Sequence, residues 1–210
     1  MITGLGRGGD VIIGAGVVTW ALVVVSVVLG VLLTLLIGAW LIGRLTIDLG
    51  WGRTRHALGP IDLRIDAPRA IVFDVVASPY LGRTPSELRG RLEVLDRGSD
   101  LVVAAHHTRL SLLTSTTIES VRFEAPERIS FRLLRGVAPS VTEEFAFQDA
   151  DHGTVMRYQG ELAMDFWIFG RLAGRFLVKP TWEKVVRRHL DGVKTMAEER
   201  ARRGPNPRQA

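Results

Sequence analysis

Pro60-Ile61-Asp62-Leu63-Arg64-Ile65-Asp66-Ala67-Pro68-Arg69-Ala70-Ile71-Val72-Phe73-Asp74-Val75-Val76-Ala77-Ser78-Pro79 changes its hydrophobic period halfway along. Ile61, Leu63 and Ile65 alternate with Asp62 and Arg64, the period of two that a half-buried strand requires. From Asp66 the pattern turns helical. Asp66 is placed to cap, Pro68 suits a first turn, and Ile71, Val72, Val75 and Val76 share one face until Ser78-Pro79 ends the run. The predicted unit is a strand that passes directly into a short helix.

After a stretch broken by glycine and proline, Tyr80–Glu87, period two takes over. Strands are expected near Leu88–Asp96, Asp100–Leu110, Leu113–Phe123, Ile129–Leu134, Ser140–Phe147 and Thr154–Met164. Arg97-Gly98-Ser99, Ala125-Pro126-Glu127, Arg135-Gly136 and Asp149-Ala150-Asp151-His152-Gly153 separate most of them, so antiparallel neighbours in chain order are the economical arrangement. A long helix, Asp165 to Arg202, closes the domain with Phe169, Leu172, Phe176, Val186, Leu190, Val193 and Ala197 as its apolar stripe. Pro180 should kink or split it. Gly204–Ala210 reads as a disordered tail.

This order defines an α+β class: a curved antiparallel sheet that grips one long C-terminal helix and leaves a cavity between the two. Ile65-Asp66-Ala67-Pro68-Arg69-Ala70-Ile71-Val72-Phe73-Asp74, Phe123-Glu124-Ala125-Pro126-Glu127-Arg128-Ile129 and the terminal helix together resemble the helix-grip superfamily of START-like and birch-pollen-allergen-like domains (SRPBCC). Within it, the resemblance is to the polyketide cyclase/dehydrase and lipid-transfer-like branch, and it covers Pro60 to Arg203. It implies a hydrophobic, lipid- or polyketide-like small molecule in an internal cavity. It carries no catalytic signature, and this fold hosts varied chemistry.

The N-terminal fifth is of another kind. Val11–Gly43 has no charged residue and exceeds the ~20 apolar residues that a helix needs to cross a bilayer. Trp20 and Trp40 bracket its most hydrophobic part, ~30 Å apart at ~1.5 Å per residue, as two interfacial aromatic belts would be. A secretory signal has an apolar region of only ~7 to 15 residues before a small-residue cleavage site, so the segment is expected to remain as a single-pass anchor. Val11-Ile12-Ile13-Gly14-Ala15-Gly16-Val17-Val18-Thr19 imitates a dinucleotide-binding turn, but Thr19 stands where the third glycine belongs and the next carboxylate is Asp48. Arg7 precedes the span while Arg44, Arg53, Arg55 and Arg64 follow it, a bias that puts the C-terminal domain in the cytoplasm. Ser26, Gly30, Thr34 and Gly38 recur every fourth residue, a small-residue face open to homodimerisation, although such residues are common in any membrane helix.

The expected order is therefore a flank at 1–10, the transmembrane helix at 11–43, a juxtamembrane linker at 44–59, the helix-grip domain at 60–203 and the tail at 204–210. Trp51, Arg53 and Arg55, with Arg44 at the linker's edge, suit a headgroup zone. As a flexible coil with few contacts to the domain, the linker would span ~20 to 23 Å. The net charge of +5 is carried almost wholly by arginine, a bias typical of a high-GC bacterial genome, and the arginines form no stripe that would mark a nucleic-acid partner. The absence of cysteine excludes disulfides, thiol catalysis and cysteine-built zinc sites. No metal or cofactor is expected.

Alternation selects the candidate ligand residues. His106 and His107 must point to opposite faces, and His106 shares its face with Val102 and Ala104, which makes it the cavity histidine; the alternative is that one of the pair partners a cross-strand hydroxyl and the other is solvated. Glu143 shares a face with Val141, Phe145 and Phe147; it is either an inward acid with a raised pKa or sits at the strand's wet end. Tyr158 brings a hydroxyl among Met156, Leu162 and Met164. Phe131, Leu133, Phe169 and Phe176 complete the expected lining. Membrane-anchored binding or carrying of a hydrophobic molecule leads. A cyclase- or dehydrase-type enzyme, or a non-catalytic envelope interaction protein, is the alternative.

Overall fold

The computed structural model describes residues 7–82, 90–110 and 113–204, with side chains from residue 18 onward except at 110 and 113. The expectations for 83–87, for 1–6 and for the tail at 205–210 lie outside the described residues. Helix α1 runs Arg7–Leu41 and begins inside the predicted flank. Its Val18–Leu41 portion, 24 residues, is long and apolar enough to cross a membrane, and its described side chains are not buried against the domain. Thr34 Oγ1 donates to Gly30 O at 2.8 Å, satisfying its hydroxyl within the helix.

The sheet and its helices follow in the predicted order: β1 (Thr54–Ile65), α2 (Arg69–Ala77), β2 (Leu92–Arg97), β3 (Leu101–Leu110), β4 (Leu113–Glu124), β5 (Arg128–Arg135), β6 (Ser140–Ala150), β7 (Gly153–Met164), α3 (Trp167–Ala173) and α4 (Lys179–Arg203). The seven antiparallel strands lie in the order β1-β7-β6-β5-β4-β3-β2. Six are joined as sequential hairpins, and β1 closes the other edge by pairing with β7 from Thr54↔Met164 to Ile65↔Thr154. The C-terminal helical run, Trp167–Arg203, is continuous rather than split at Pro180, and its one irregularity is a π-helical turn at Gly174–Val178 just before that proline.

Alternation is obeyed along the strands except at register shifts in β1, in β2 and between β4 and β5. One face of the curved sheet carries Val102, Val121, Ile129, Val141, Phe145, Phe147, Met156, Tyr158 and Leu162, and against it α4 turns Val186, Leu190, Val193 and Ala197, all buried. Each fully buried side chain of this size is worth ~1.5 to 3 kcal/mol. Helix α2 supplies Val72, Val75 and Val76 at the far end of the same core, where Asp74 pairs with Arg200 of α4.

Two expectations need correction. First, β1 starts at Thr54 and takes up the last six residues of the predicted linker. Gly59-Pro60 interrupts the alternation at a register shift between Leu58 and Ile61, and this break hides the earlier half of the strand from a pattern search. Second, the rest of the linker is no free coil. Thr116 N–H donates to Ile42 O at 3.0 Å, Thr46 Oγ1 donates to Gly136 O at 2.9 Å, and the amides of Leu49 and Gly50 donate to Asp165 Oδ2 at 2.8 and 2.9 Å. Arg53 bonds the same carboxylate at 2.8 Å and also pairs with Asp48. Asp165 is only 2% exposed, and Arg53 together with those two amides holds its pKa below the usual carboxylate value. Segment 42–53 is thus sewn along the end of the sheet where β4 begins and β7 ends.

Candidate functional site: a buried acidic and aromatic cluster

The inner face is mostly apolar and, apart from His56 and Thr154, gathers its polar side chains in one region, where four strands, α4 and the segment after α2 bring them together. Strand β4 alternates Ser115, Thr117, Glu119 and Val121 inward; β3 contributes His106 and β6 Glu143; β7 adds Tyr158; Tyr80 follows α2; and Trp182 and His189 descend from α4. Tyr158 OH and Trp182 Nε1 both donate to Glu143 Oε1, at 2.6 and 2.7 Å. These are lengths of charge-assisted bonds. Thr117 Oγ1 donates to Glu119 Oε1 at 3.1 Å, and Glu119 Oε2 stands 3.7 Å from His106 Nε2. That same nitrogen lies 3.2 Å from Tyr80 OH. A chain of rings joins the two acids through the core: Tyr80 to Phe131 at 5.8 Å, Phe131 to Phe145 at 5.3 Å, and Phe145 to Tyr158 at 5.2 Å between centroids.

The electrostatics follow from burial. Loss of hydration pushes Glu119 up to about 7, against the opposing bond from Thr117. Burial does the same to Glu143, also about 7, reinforced by the charge of Glu119 and opposed by the bonds from Tyr158 and Trp182. His106 is held down to about 4 by burial and then by His107. His189 is likewise held at about 4, by burial and then by His106. Burial raises both phenols, Tyr80 with help from Glu119 and Glu143, and Tyr158 from Glu143. Near neutral pH the cluster therefore holds neutral imidazoles, intact phenols and carboxyls close to half-protonation, the condition in which a carboxyl can either donate or accept a hydrogen bond.

The region is not closed. His106, Thr117, Glu143 and Trp182 are only half-buried although they face inward, and His189 is exposed while remaining desolvated enough to lose two units or more of basicity. Tyr80, Glu119 and Tyr158 are buried in the core, so the cluster lies where the packing between the sheet and α4 gives way to accessible surface. A separate open groove of about 840 Å³ crosses the opposite face of the sheet, lined by polar outward positions such as Ser120, Arg122, Arg132, Thr142, Glu144 and Gln159.

The predicted lining residues divide three ways. His106, Glu143 and Tyr158 meet in the cluster. Phe131, Leu133, Phe145, Phe147 and Met156 are inward and buried; Phe147 packs at the far end on Phe73 of α2, with centroids 5.7 Å apart. Phe169 and Phe176 are corrected: they are 80% and 68% exposed and point away from the sheet, because Gly170 and Gly174 occupy the inward side of α3 and the π turn. His107 behaves as the cross-strand partner, with Nδ1 3.0 Å from Thr116 Oγ1. Glu119, Tyr80, Trp182 and His189 are site residues that the sequence reading passed over. Alternation from Val121 would have found Glu119, and the spacing of Trp182, Val186, His189 and Val193 on one helical face would have found two more. Tyr80 sits in a broken stretch that gives no such signal.

Curved sheet and gripped helix define a helix-grip domain of the α+β class. The chain belongs to the polyketide cyclase / dehydrase and lipid transport family, which matches residues 62–198. No curated protein matches the sequence. Among solved structures, norcoclaurine synthase from Thalictrum flavum superposes with a TM-score of 0.55 at 10% identity, covering 75% of this chain and 96% of that one. The di-domain ARO/CYC BexL from the BE-7585A biosynthetic pathway gives 0.52 at 16% identity over 74% of this chain and 52% of that one, so this chain spans about half its length. Ara h 8.0201 gives 0.50 at 12% identity, covering 70% of this chain and 97% of that one. At such identities the likeness is one of fold.

Proposed function

We propose that this protein binds or carries a hydrophobic, lipid- or polyketide-like small molecule in the recess between sheet and α4, while α1 anchors it in a cell membrane. The observation that supports the reading most directly is the Glu119–Glu143–His106–Tyr158 cluster, a few convergent polar groups at the margin of a largely apolar core, with His106 and Glu143 half-buried. The half-protonated carboxyls suit a ligand with a polar, uncharged end, such as a hydroxyl or carbonyl, and an apolar body laid along Phe131 and Phe145. Anchoring, rather than a removed leader, is supported by the length of α1 and by the residues just after it, which are hydrogen-bonded into the domain. By the arginine bias the domain lies on the cytoplasmic side.

A second reading is favoured by one specific observation. Two carboxyls near 7 beside a phenol and a neutral imidazole are what acid–base catalysis of a cyclisation or dehydration needs. The test is mass analysis of small molecules that co-purify with the detergent-extracted chain, followed by incubation of the identified ligand with wild type and Glu143→Gln. A carrier returns the ligand unchanged, and Glu143→Gln weakens binding by about one charge-assisted hydrogen bond, ~1.5 to 3 kcal/mol. Conversion that is lost by ~100-fold or more in the variant would establish the enzyme instead.

A further inference from the structure

The segment Phe166–Val178 turns its residues the wrong way for a helix of a water-facing domain. Its buried positions are glycines, with Ala173 and Val178 half-buried against the core: a Cβ on Gly170 would stand 1.7 Å from Asp165 O, and one on Gly174 would stand 2.4 Å from His56 Nε2, so only glycine lets the backbone lie this close. Its outward positions are the largest it has. Phe169, Phe176 and Trp167 are 80%, 68% and 55% exposed. Arg171 and Arg175 are exposed beside them, and the Arg175 guanidinium lies 5.5 Å from the Phe176 ring centroid. Bulky apolar groups interleaved with arginine and a tryptophan are the composition of an interfacial membrane element.

We propose that Phe166–Val178 is a second membrane contact, which lies in the headgroup and upper acyl region of the same bilayer that α1 spans. The proposal rests on reading α1 as the anchor. Continuity with that anchor names the occupant. Ile42, one residue past α1, is bonded to Thr116, and the chain then runs along the end of the sheet to the start of α3, where Phe166 N–H donates to Trp51 O at 2.8 Å and Trp167 N–H to Gly52 O at 2.9 Å. The Trp51 and Trp167 rings pack edge-on at 4.5 Å. Phe166 and Trp167 hold positive φ, 72° and 44°, a conformation aromatic residues seldom adopt and one fixed here by those two bonds. The exposed face is therefore tied to the membrane-proximal end of the domain, and its arginines match an anionic headgroup layer.

The test uses the full chain, which contains no cysteine. Single cysteines at Phe169→Cys, Phe176→Cys, Leu29→Cys and Asp191→Cys, each bearing an environment-sensitive fluorophore, are read in vesicles of phosphatidylcholine and phosphatidylglycerol that carry nitroxide lipids. Leu29 lies within the span and Asp191 on the exposed side of α4. Leu29→Cys should be quenched by the deep nitroxide, and Phe169→Cys and Phe176→Cys by the shallow one at least about twofold more than Asp191→Cys. If Leu29→Cys is quenched but positions 169 and 176 behave like 191, the anchor stands and the second contact is wrong. If Leu29→Cys is not quenched, the anchor reading fails and takes this one with it. Shielding of 169 and 176 that disappears as lipid is raised over protein would assign the face to a second copy and overturn the proposal.

Discussion

Helix α4 and the α3–π segment before it belong to one continuous helical run, yet they treat bulky residues in opposite ways. In α4, Val186, Leu190, Val193 and Ala197 face the sheet and charge faces outward. Before Val186 the run instead turns Gly170 and Gly174 inward and leaves Phe169, Leu172 and Phe176 outside. Periodicity is similar in both; the partner differs. A helical stripe states that one face avoids water, and only the tertiary context says whether a sheet or another apolar phase receives it.

The largest expected effect breaks this contrast on its buried side. Leu190 is 2% exposed within the core, so Leu190→Ala removes packing that cannot be recovered by collapse and should cost ~2 to 5 kcal/mol. Thermal melts of the full chain in detergent should show the loss as a lower midpoint of domain unfolding. A change below about 0.5 kcal/mol would mean that α4 does not grip the sheet as described.

The next effect comes from the polar part of that same core and depends on pH. Glu119 and Glu143 rise from 4.5 to about 7, so the folded domain keeps protons that the unfolded chain releases. The stabilisation is complete below about pH 4.5 and is lost as pH rises through about 7, to an extent of up to ~3 kcal/mol per carboxyl at ~1.4 kcal/mol per unit, less where the two charges share the shift. His106 and His189 act in the opposite sense: lowered from 6.5 to about 4, they withdraw stability as pH falls through that interval. Because the two intervals overlap, the opposing effects should largely cancel and melting temperature should stay nearly flat from about pH 4.5 to 6.5, while Glu143→Gln should leave the histidines in excess and make stability rise with pH across that range. A variant profile as flat as that of the wild type would show that the Glu143 carboxyl is hydrated.

Much of this was legible in the sequence, and the failures share a cause. Six strand centres and the helix after β1 followed from period and turn chemistry, because each is set by residues adjacent in the chain, whereas Pro180 falls in the first turn of α4 and does not split the helical run. The early half of β1 was hidden by Gly59-Pro60. The docking of segment 42–53 was hidden because its partners, Thr116, Gly136 and Asp165, lie far away in sequence. Alternation placed His106, Glu143 and Tyr158 on one inner face. It did not show that Glu119 and Trp182 would join them, since that depends on which strands and helix become neighbours. Phe169 and Phe176 were placed in the cavity by the same stripe that correctly placed Val186 and Leu190; the two small glycines between them carried the contrary signal.

The smallest expected effect tests the outward side of the comparison. Phe176→Ala deletes a large ring, and a ring in the core would cost ~3 to 5 kcal/mol when cut back to alanine. Here the side chain is 68% exposed and meets the guanidinium of Arg175 rather than the sheet, so domain stability should change by no more than about 0.5 kcal/mol, and ligand affinity should not change. Phe145→Ala, 5% exposed and stacked between Phe131 and Tyr158, should by contrast lower both. The pair is informative because each variant removes the same group. If Phe176→Ala melts as low as Phe145→Ala, the ring is inserted in the domain and the inward placement of Gly174 is wrong. If stability holds but ligand affinity falls, Phe176 reaches the recess in solution, and the outward face belongs to the binding site rather than to its surroundings.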